Sequence, residues 1–407
     1  MMIVANLTTG QRLKALVFIS IHTSIFYFSL KNLNILSYLI QYNKRRIGVI
    51  WSLYLQKIAG VINCKDVCYM IYDVIVIGGG PCGLATGLAL QEQDLNYVIL
   101  EKGGIVNSIV KCPLNVRFYS TSDRLEIGRM PFLSKEERPT RQELMKYYQS
   151  VVSRQSLEIK CYHKVTKIIK EPEHFTLQTI NHQGKSVMYQ TKMLVIATGI
   201  FDHPRRLNIE GEELPKVIHY YQEGHQYYGQ RVLVVGGKNS AIETAIDLYR
   251  NGAKVSLVHR GESAYYGIKP TLLMDIRNFI EKGKIDFFPQ SNVLRIAEDS
   301  VLLETPKGKV SIENDFVFPL IGYQPDSIML KNIGIQMDES TLVPMFNKDT
   351  YETNIENIFL AGVVTGGTTN KVYIEDGRFH GAKIAEVIKK RFRRMNILIN
   401  EQLKKES

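Results

Sequence analysis

The stretch Tyr72–Leu90, YDVIVIGGGPCGLATGLAL, decides the fold. A short run of β-branched apolar residues breaks into three glycines and a proline, then turns apolar again, which predicts a buried strand, a tight turn and a helix. Gly78, Gly80 and Gly83 match GxGxxG. The first glycine serves the turn, the second lets backbone approach a pyrophosphate, and the third lets the helix pack on the strand. A second strand, YVILEKG, ends at Glu101, 18 residues past Gly83, where a carboxylate can bond a ribose hydroxyl. Together these features predict a βαβ unit for a dinucleotide, with the N–H groups of the helix start facing the phosphates.

The same event recurs 158 residues later, counted from Gly78 to Gly236. Gln230–Glu262, QRVLVVGGKNSAIETAIDLYRNGAKVSLVHRGE, is again strand, glycine turn, helix and strand. Here Lys238 stands where the middle glycine of GxGxxA is expected; its side chain either solvates the loop or reaches round a phosphate as a cation. The unit ends in His259 and Arg260 rather than an acid. A guanidinium suits a 2′-phosphate, so NADPH is favoured over NADH, with Glu262 nearby arguing the other way. Two nucleotide sites in one chain predict an electron relay in which FAD takes hydride from NADPH.

Further strands precede glycine in MLVIATG (Met193–Gly199), NDFVFPLIGYQPD (Asn314–Asp326) and TNIENIFLAGVVTGG (Thr353–Gly367), and an amphipathic helix is expected over Gly381–Met395. The expected fold is α/β, with two Rossmann-like dinucleotide-binding domains, the NADPH domain inserted into a discontinuous FAD domain. The expected boundaries are 1–69 for an N-terminal extension, 70–203 and 321–395 for the FAD domain, 204–320 for the NADPH domain, and 396–407 for a basic tail.

The chain is 45% hydrophobic and 22% charged, an ordinary globular balance with room for large cores. Its net charge of +11 divides unevenly: residues 1–69 carry +7 and residues 383–407 carry +5, leaving the body at −1. That distribution gives no basic-aromatic groove for nucleic acid. Five cysteines, Cys64, Cys68, Cys82, Cys112 and Cys161, show neither CxxC nor repeated ligand spacing, against a disulfide scaffold and a metal site and in favour of a reducing cytoplasm. Residues 1–69 read differently from the rest. Ala15–Leu30 is an uncharged run of 16 residues, short of the ~18 that argue for a membrane span. Met70 fits a true start behind a disordered or untranslated extension; a membrane-associated anchor and a targeting peptide are the other readings.

Taken together, IVIGGGPCGL, ATG, VVGGKNSA, FPLIGYQPD and IFLAGV resemble the two-dinucleotide-domain flavoprotein family that includes low-molecular-weight thioredoxin reductase. Within it, EKGGIVNSI, FYSTSDRLEIG, LPKVIHYYQEGHQYY, GGKNS and IEDGRFHG resemble the bacillithiol disulfide reductases, also called bacilliredoxin reductases. The likeness runs from about Met70 to about Lys389. It implies FAD contacts at Gly78, Gly80, Pro81, Gly83, Glu101, Lys102, Thr198, Gly199 and Gly362. It implies NADPH contacts at Gly236, Gly237, Lys238, Asn239, Ser240, His259 and Arg260. The substrate it implies is a low-molecular-weight thiol disulfide, with a bacilliredoxin as a candidate protein partner, and we expect a homo-oligomer.

Two departures stand out. Thioredoxin reductases of this type carry a redox CxxC that is absent here, and the acid usual after AG is replaced by Val363. The cysteine of GGGPCG has two readings: a small buryable residue where relatives have alanine, or the redox thiol that the subfamily likeness implies, which makes Cys82 the catalytic candidate. Cys112 is either a resolving thiol or incidental. His219, His225 and His380 are read as structural. Competing functions are an NADPH:ferredoxin or flavodoxin reductase, a flavin monooxygenase, for which LPKVIHY lacks the leading Phe and Gly of FxGxxxH, and a flavin-bearing redox sensor or membrane-tethered binding module.

Overall fold

The computed structural model describes residues 16–21, 24–29, 71–263, 268–369 and 371–406. The chain divides into two units, residues 1–69 and 70–407. In the first, strands β1 (Leu16–Ile21) and β2 (Ser24–Ser29) pair antiparallel. The uncharged run Ala15–Leu30 is therefore strand where it is described, in keeping with its β-branched and aromatic content. The second apolar stretch at Ile47–Ile62, Cys64, Cys68 and the reading of the extension lie outside the described residues. No described helix is long and apolar enough to cross a membrane.

In the second unit, β3 (Ile71–Ile77) leads through the glycine turn into α1 (Pro81–Glu92) and back to β4 (Tyr97–Leu100), parallel to β3. Pro81 opens α1 at a position where its missing N–H costs no hydrogen bond. After the short α2 (Asn107–Val110) and α3 (Arg141–Arg154) come β5 (Ile159–Lys160) and an antiparallel run of β6 (His163–Lys170), β7 (Phe175–Asn181) and β8 (Ser186–Ile196). The sheet order is β5-β4-β3-β8-β7-β6. Val74 and Val76 enter one buried cluster while Ile75 and Ile77 enter another, so both faces of β3 are covered, as a parallel sheet requires.

A second sheet, ordered β11-β10-β9-β15 and parallel throughout, is built from β9 (Arg231–Val235), β10 (Lys254–Val258), β11 (Ile285–Phe288) and β15 (Phe316–Pro319). Helices α4 (Asn239–Arg250) and α5 (Pro270–Glu281) belong to it. Strands β12 (Asn292–Ile296), β13 (Ser300–Thr305) and β14 (Gly308–Glu313) form an antiparallel meander between β11 and β15. Val232 and Val234 face one core, Leu233 and Val235 the other.

Beyond α6 (Ser327–Asn332) the chain returns to the first sheet, where β16 (Ile358–Leu360) pairs parallel to β8. The one-turn α7 (Ile374–Gly377) and the long α8 (His380–Glu406) follow. Helix α8 does not stop at Met395 but runs on to Glu406, through the segment expected as a basic tail. After Gly381 the sequence holds neither glycine nor proline, so nothing in it breaks the helix.

Candidate active site

At the first turn, Gly78 has φ +111°, and a Cβ there would stand 2.5 Å from the Ala197 carbonyl oxygen at the end of β8. Only glycine tolerates both the dihedral and the approach. A Cβ on Gly83 would collide with the Gly78 carbonyl, so this glycine sets the contact between α1 and the turn. Gly80 and Gly199 differ: nothing lies within 4 Å of where their Cβ atoms would project, so open space faces the helix start and the ATG turn. Beside them Thr198 Oγ1 is buried without a hydrogen-bond partner. An unpaired buried hydroxyl, open glycine backbone and the partnerless N–H groups of a first helical turn suit a bound dinucleotide.

Glu101 is buried, and it already has work in the protein itself. Its Oε2 accepts from Gly79 N–H at 2.6 Å and its Oε1 from Gly103 N–H at 2.8 Å, tying β4 to the glycine turn. Burial raises its pKa, and the two N–H bonds counter that only in part. Lys102, expected at the cofactor, is committed to Asp202 at 2.8 Å, which Lys111 also bonds at 2.8 Å. Burial opposes ionisation of Asp202, but the two ammonium groups outweigh it and hold its pKa low.

Cys82 occupies the first turn of α1 and is 6% exposed. Its thiol accepts from the Val363 N–H, and burial, the larger influence, pushes its pKa up to about 12, with Asp376 adding to the rise. Two glycines enclose the sulfur: a Cβ on Gly362 would lie 2.7 Å from Sγ, and one on Gly377 2.8 Å from it. The peptide after AG thus turns an N–H toward the cysteine at the point where the usual acid is missing. Gly362 N–H donates to His380 Nδ1 at 3.2 Å, and that imidazole stacks on Tyr351 with centroids 4.2 Å apart. Burial drives the His380 pKa down to about 4, keeping the ring neutral with Nδ1 free to accept. The short motif IEDGRFHG thereby supplies Gly377 and His380 to the cysteine's surroundings, a role that residue spacing alone could not disclose.

Among the described residues Cys82, Cys112 and Cys161 are free thiols. Cys112 is half-buried, with its pKa pushed up to about 11 by burial, and its sulfur contacts the Ser108 carbonyl at 3.6 Å. His219 approaches Arg206 at 3.1 Å and Glu212 at 4.0 Å, and His225 is exposed.

At the second turn, a Cβ on Gly236 would stand 2.6 Å from the Leu320 carbonyl, while one on Gly237 would overlap the His259 ring. His259 therefore lies on the turn as packing, and burial, then Arg260, lowers its pKa. Lys238 caps α4 in extended backbone; it, Ser240 and Arg260 are exposed. Asn239 Oδ1 accepts from Lys269 N–H at 3.0 Å, joining the start of α4 to that of α5. Sequence spacing gave no sign of one further group: Tyr119 donates to Glu243 Oε2 at 2.9 Å, and the Lys269 ammonium sits over the Tyr119 ring.

Comparison with known proteins agrees with this geometry. Residues 75–362 match the family described as pyridine nucleotide-disulphide oxidoreductase. The chain is 39% identical over 320 residues to the bacilliredoxin reductase Bdr of Bacillus subtilis, covering 78% of this chain and 97% of that relative. The structure of bacillithiol disulfide reductase Bdr from Bacillus cereus superposes with TM-score 0.78 at 40% identity, covering 79% of this chain and 100% of that one. The Staphylococcus aureus counterpart gives 0.75 at 40% identity, over 79% and 98%. The glycine cradles and these likenesses together make the chain a member of the pyridine nucleotide-disulphide oxidoreductase family, in the branch that holds the bacilliredoxin reductases.

Proposed function

We propose that this protein is an NADPH-dependent flavoprotein that reduces a low-molecular-weight disulfide, bacillithiol disulfide in the first instance. The observation that carries the reading is the first glycine turn, where open backbone at Gly80 and the unpartnered Thr198 hydroxyl stand at the same helix start as Cys82. FAD belongs to the first sheet, with residues 70–203 and 321–395 as its domain, and NADPH to the second, with residues 204–320. When bound, the two cofactors supply the pair of electrons that a disulfide needs.

The chain's own residues do the rest. The first turn of α1 meets the pyrophosphate, and Glu101 keeps one carboxylate between the turn and the ribose. The start of α4, with Lys238 and Ser240, meets the second pyrophosphate, and Arg260 the 2′-phosphate. Cys82 is the redox thiol. As thiolate, its Sγ bonds one sulfur of the substrate while the other sulfur leaves as a thiolate; two electrons and protons then free the second thiol and restore Cys82. The Val363 N–H is the donor that steadies the charge on Sγ. Cys112, a second half-buried thiol, is not needed in this scheme. The reducing cytoplasm that free thiols favour is the proposed location, with a bacilliredoxin as protein partner and a homo-oligomer as the working form.

The test is NADPH oxidation by purified Cys82→Ala and wild-type protein against bacillithiol disulfide, glutathione disulfide, a bacilliredoxin and ferredoxin, with NADH alongside. Bound yellow flavin with loss of disulfide reduction is the expected result for the variant. Undiminished turnover removes Cys82 from the mechanism, and preference for ferredoxin replaces the function.

A further inference from the structure

A cavity of about 360 Å³ opens between three stretches that are far apart in sequence: the loop carrying Tyr119, Arg124 and Arg138, the Lys269 that caps α5, and Glu375 in α7. Its charges do not balance. Arg124 pairs with Glu375 at 3.4 Å. The Arg138 guanidinium has no ion-pair or hydrogen-bond partner among the described residues, and the Lys269 ammonium rests on an aromatic ring rather than a carboxylate. Burial, and after it the neighbouring Arg138, pushes the Lys269 pKa down to about 8. Glu243 and Glu375 offset part of this, but they act on Lys269 less than burial and Arg138 do, and Glu375 is already paired with Arg124. Arg138 and Lys269 still repel each other, and an arriving anion relieves that repulsion.

The walls are fixed in advance. Tyr119 is held by Glu243, and Lys269 by its backbone N–H to Asn239. The cavity and the cover of the thiol share an element: the single turn of α7 gives Glu375 to the cavity wall and Gly377 to the cover over Cys82 Sγ.

We propose that this cavity takes a carboxylate of the substrate, with Arg138 and Lys269 as its recognition pair, so that the enzyme selects acidic low-molecular-weight disulfides. The inference rests on the disulfide-reductase reading and extends it to substrate class. Its test uses FAD-loaded wild-type protein, Arg138→Gln, and Arg250→Gln as a control that loses the same charge from an exposed pair with Asp275. Binding is measured by calorimetry, and turnover by NADPH oxidation, with bacillithiol disulfide, glutathione disulfide and the carboxylate-free disulfide cystamine.

Arg138→Gln should weaken binding of the acidic disulfides about tenfold or more and raise their KM in parallel, with KM for NADPH moving less than about twofold. Cystamine should show no such loss, and Arg250→Gln should behave as wild type. Unchanged binding in Arg138→Gln overturns the proposal, as does a rise in KM for NADPH in place of the disulfide. Arg138-dependent binding without electron transfer to any disulfide upholds the anion site and refutes the reductase reading.

Discussion

Chemical labelling of Cys82 tests its surroundings directly. An ordinary thiol at 9.0 and one pushed up to about 12 differ about a thousandfold in thiolate below pH 9, and thiolate is the species that alkylates. The enclosure by Gly362 and Gly377 slows access further. Native FAD-loaded protein treated with iodoacetamide, followed by peptide-resolved mass spectrometry, should therefore label Cys82 at least about a thousandfold more slowly than the urea-unfolded chain at pH 7.5. The native rate should climb about tenfold for each pH unit between 7 and 10, with no plateau. A Cys82 that labels at the unfolded rate, or a rate that levels off below pH 9, refutes the argument that burial outweighs the Val363 N–H. Under the proposed mechanism the same ionisation precedes attack on the disulfide, so a turnover limited by that attack rises over the same range.

Two further perturbations probe the shell around the sulfur. Gly362→Ala places a Cβ 2.6 Å from Cys82 Cβ in backbone with φ +80°, and overpacking plus the left-handed dihedral should cost about 2–4 kcal/mol. The thermal midpoint should drop by about 5 °C or more, with partial recovery in Gly362→Ala/Cys82→Gly; a wild-type midpoint denies the contact. His380, neutral in the fold down to about pH 4, takes a proton near 6.5 when unfolded, so its share of stability is complete above 6.5 and drains as pH falls toward 4. That share is on the order of 3 kcal/mol. His380→Asn keeps an acceptor for Gly362 N–H but cannot titrate: its midpoint should be lower at pH 7.5 and flatter between 6.5 and 4, and an equally steep acid decline clears His380 of the effect.

Both glycine turns were readable because their constraints are local. Gly78 and Gly83 must be glycine for reasons contained within one strand-turn-helix unit, and alternate residues of β3 and β9 announce sheets covered on both faces. What could not be read was set by distant segments. Glu101 reads as a ribose ligand, and spacing does not reveal that the same carboxylate also accepts from Gly79 N–H, 22 residues away. Lys102, expected at the cofactor from the resemblance, also pairs with Asp202, a hundred residues further on. His259 is expected at the cofactor by its place after β10, and its ring also fills the space that Gly237 leaves, which spacing does not show. The cover over Cys82 and the Tyr119–Glu243–Lys269 group join residues from different parts of the chain, and no spacing rule encodes such meetings. The continuation of α8 is legible in the lack of breakers, although the charge of the last residues suggests a tail.

The late pairing of β16 with β8 sets an order of assembly. During synthesis every strand of the second sheet leaves the ribosome before Ile358–Leu360 does, so that sheet can form while the first still lacks a member. Release of the last fifty or so residues then completes the first sheet, and with it the cover over Cys82, which Gly362 and Gly377 provide. A nascent protein stalled before that point would carry its cysteine uncovered and open to oxidants, a hazard that ends once Gly362 and Gly377 have closed over the sulfur.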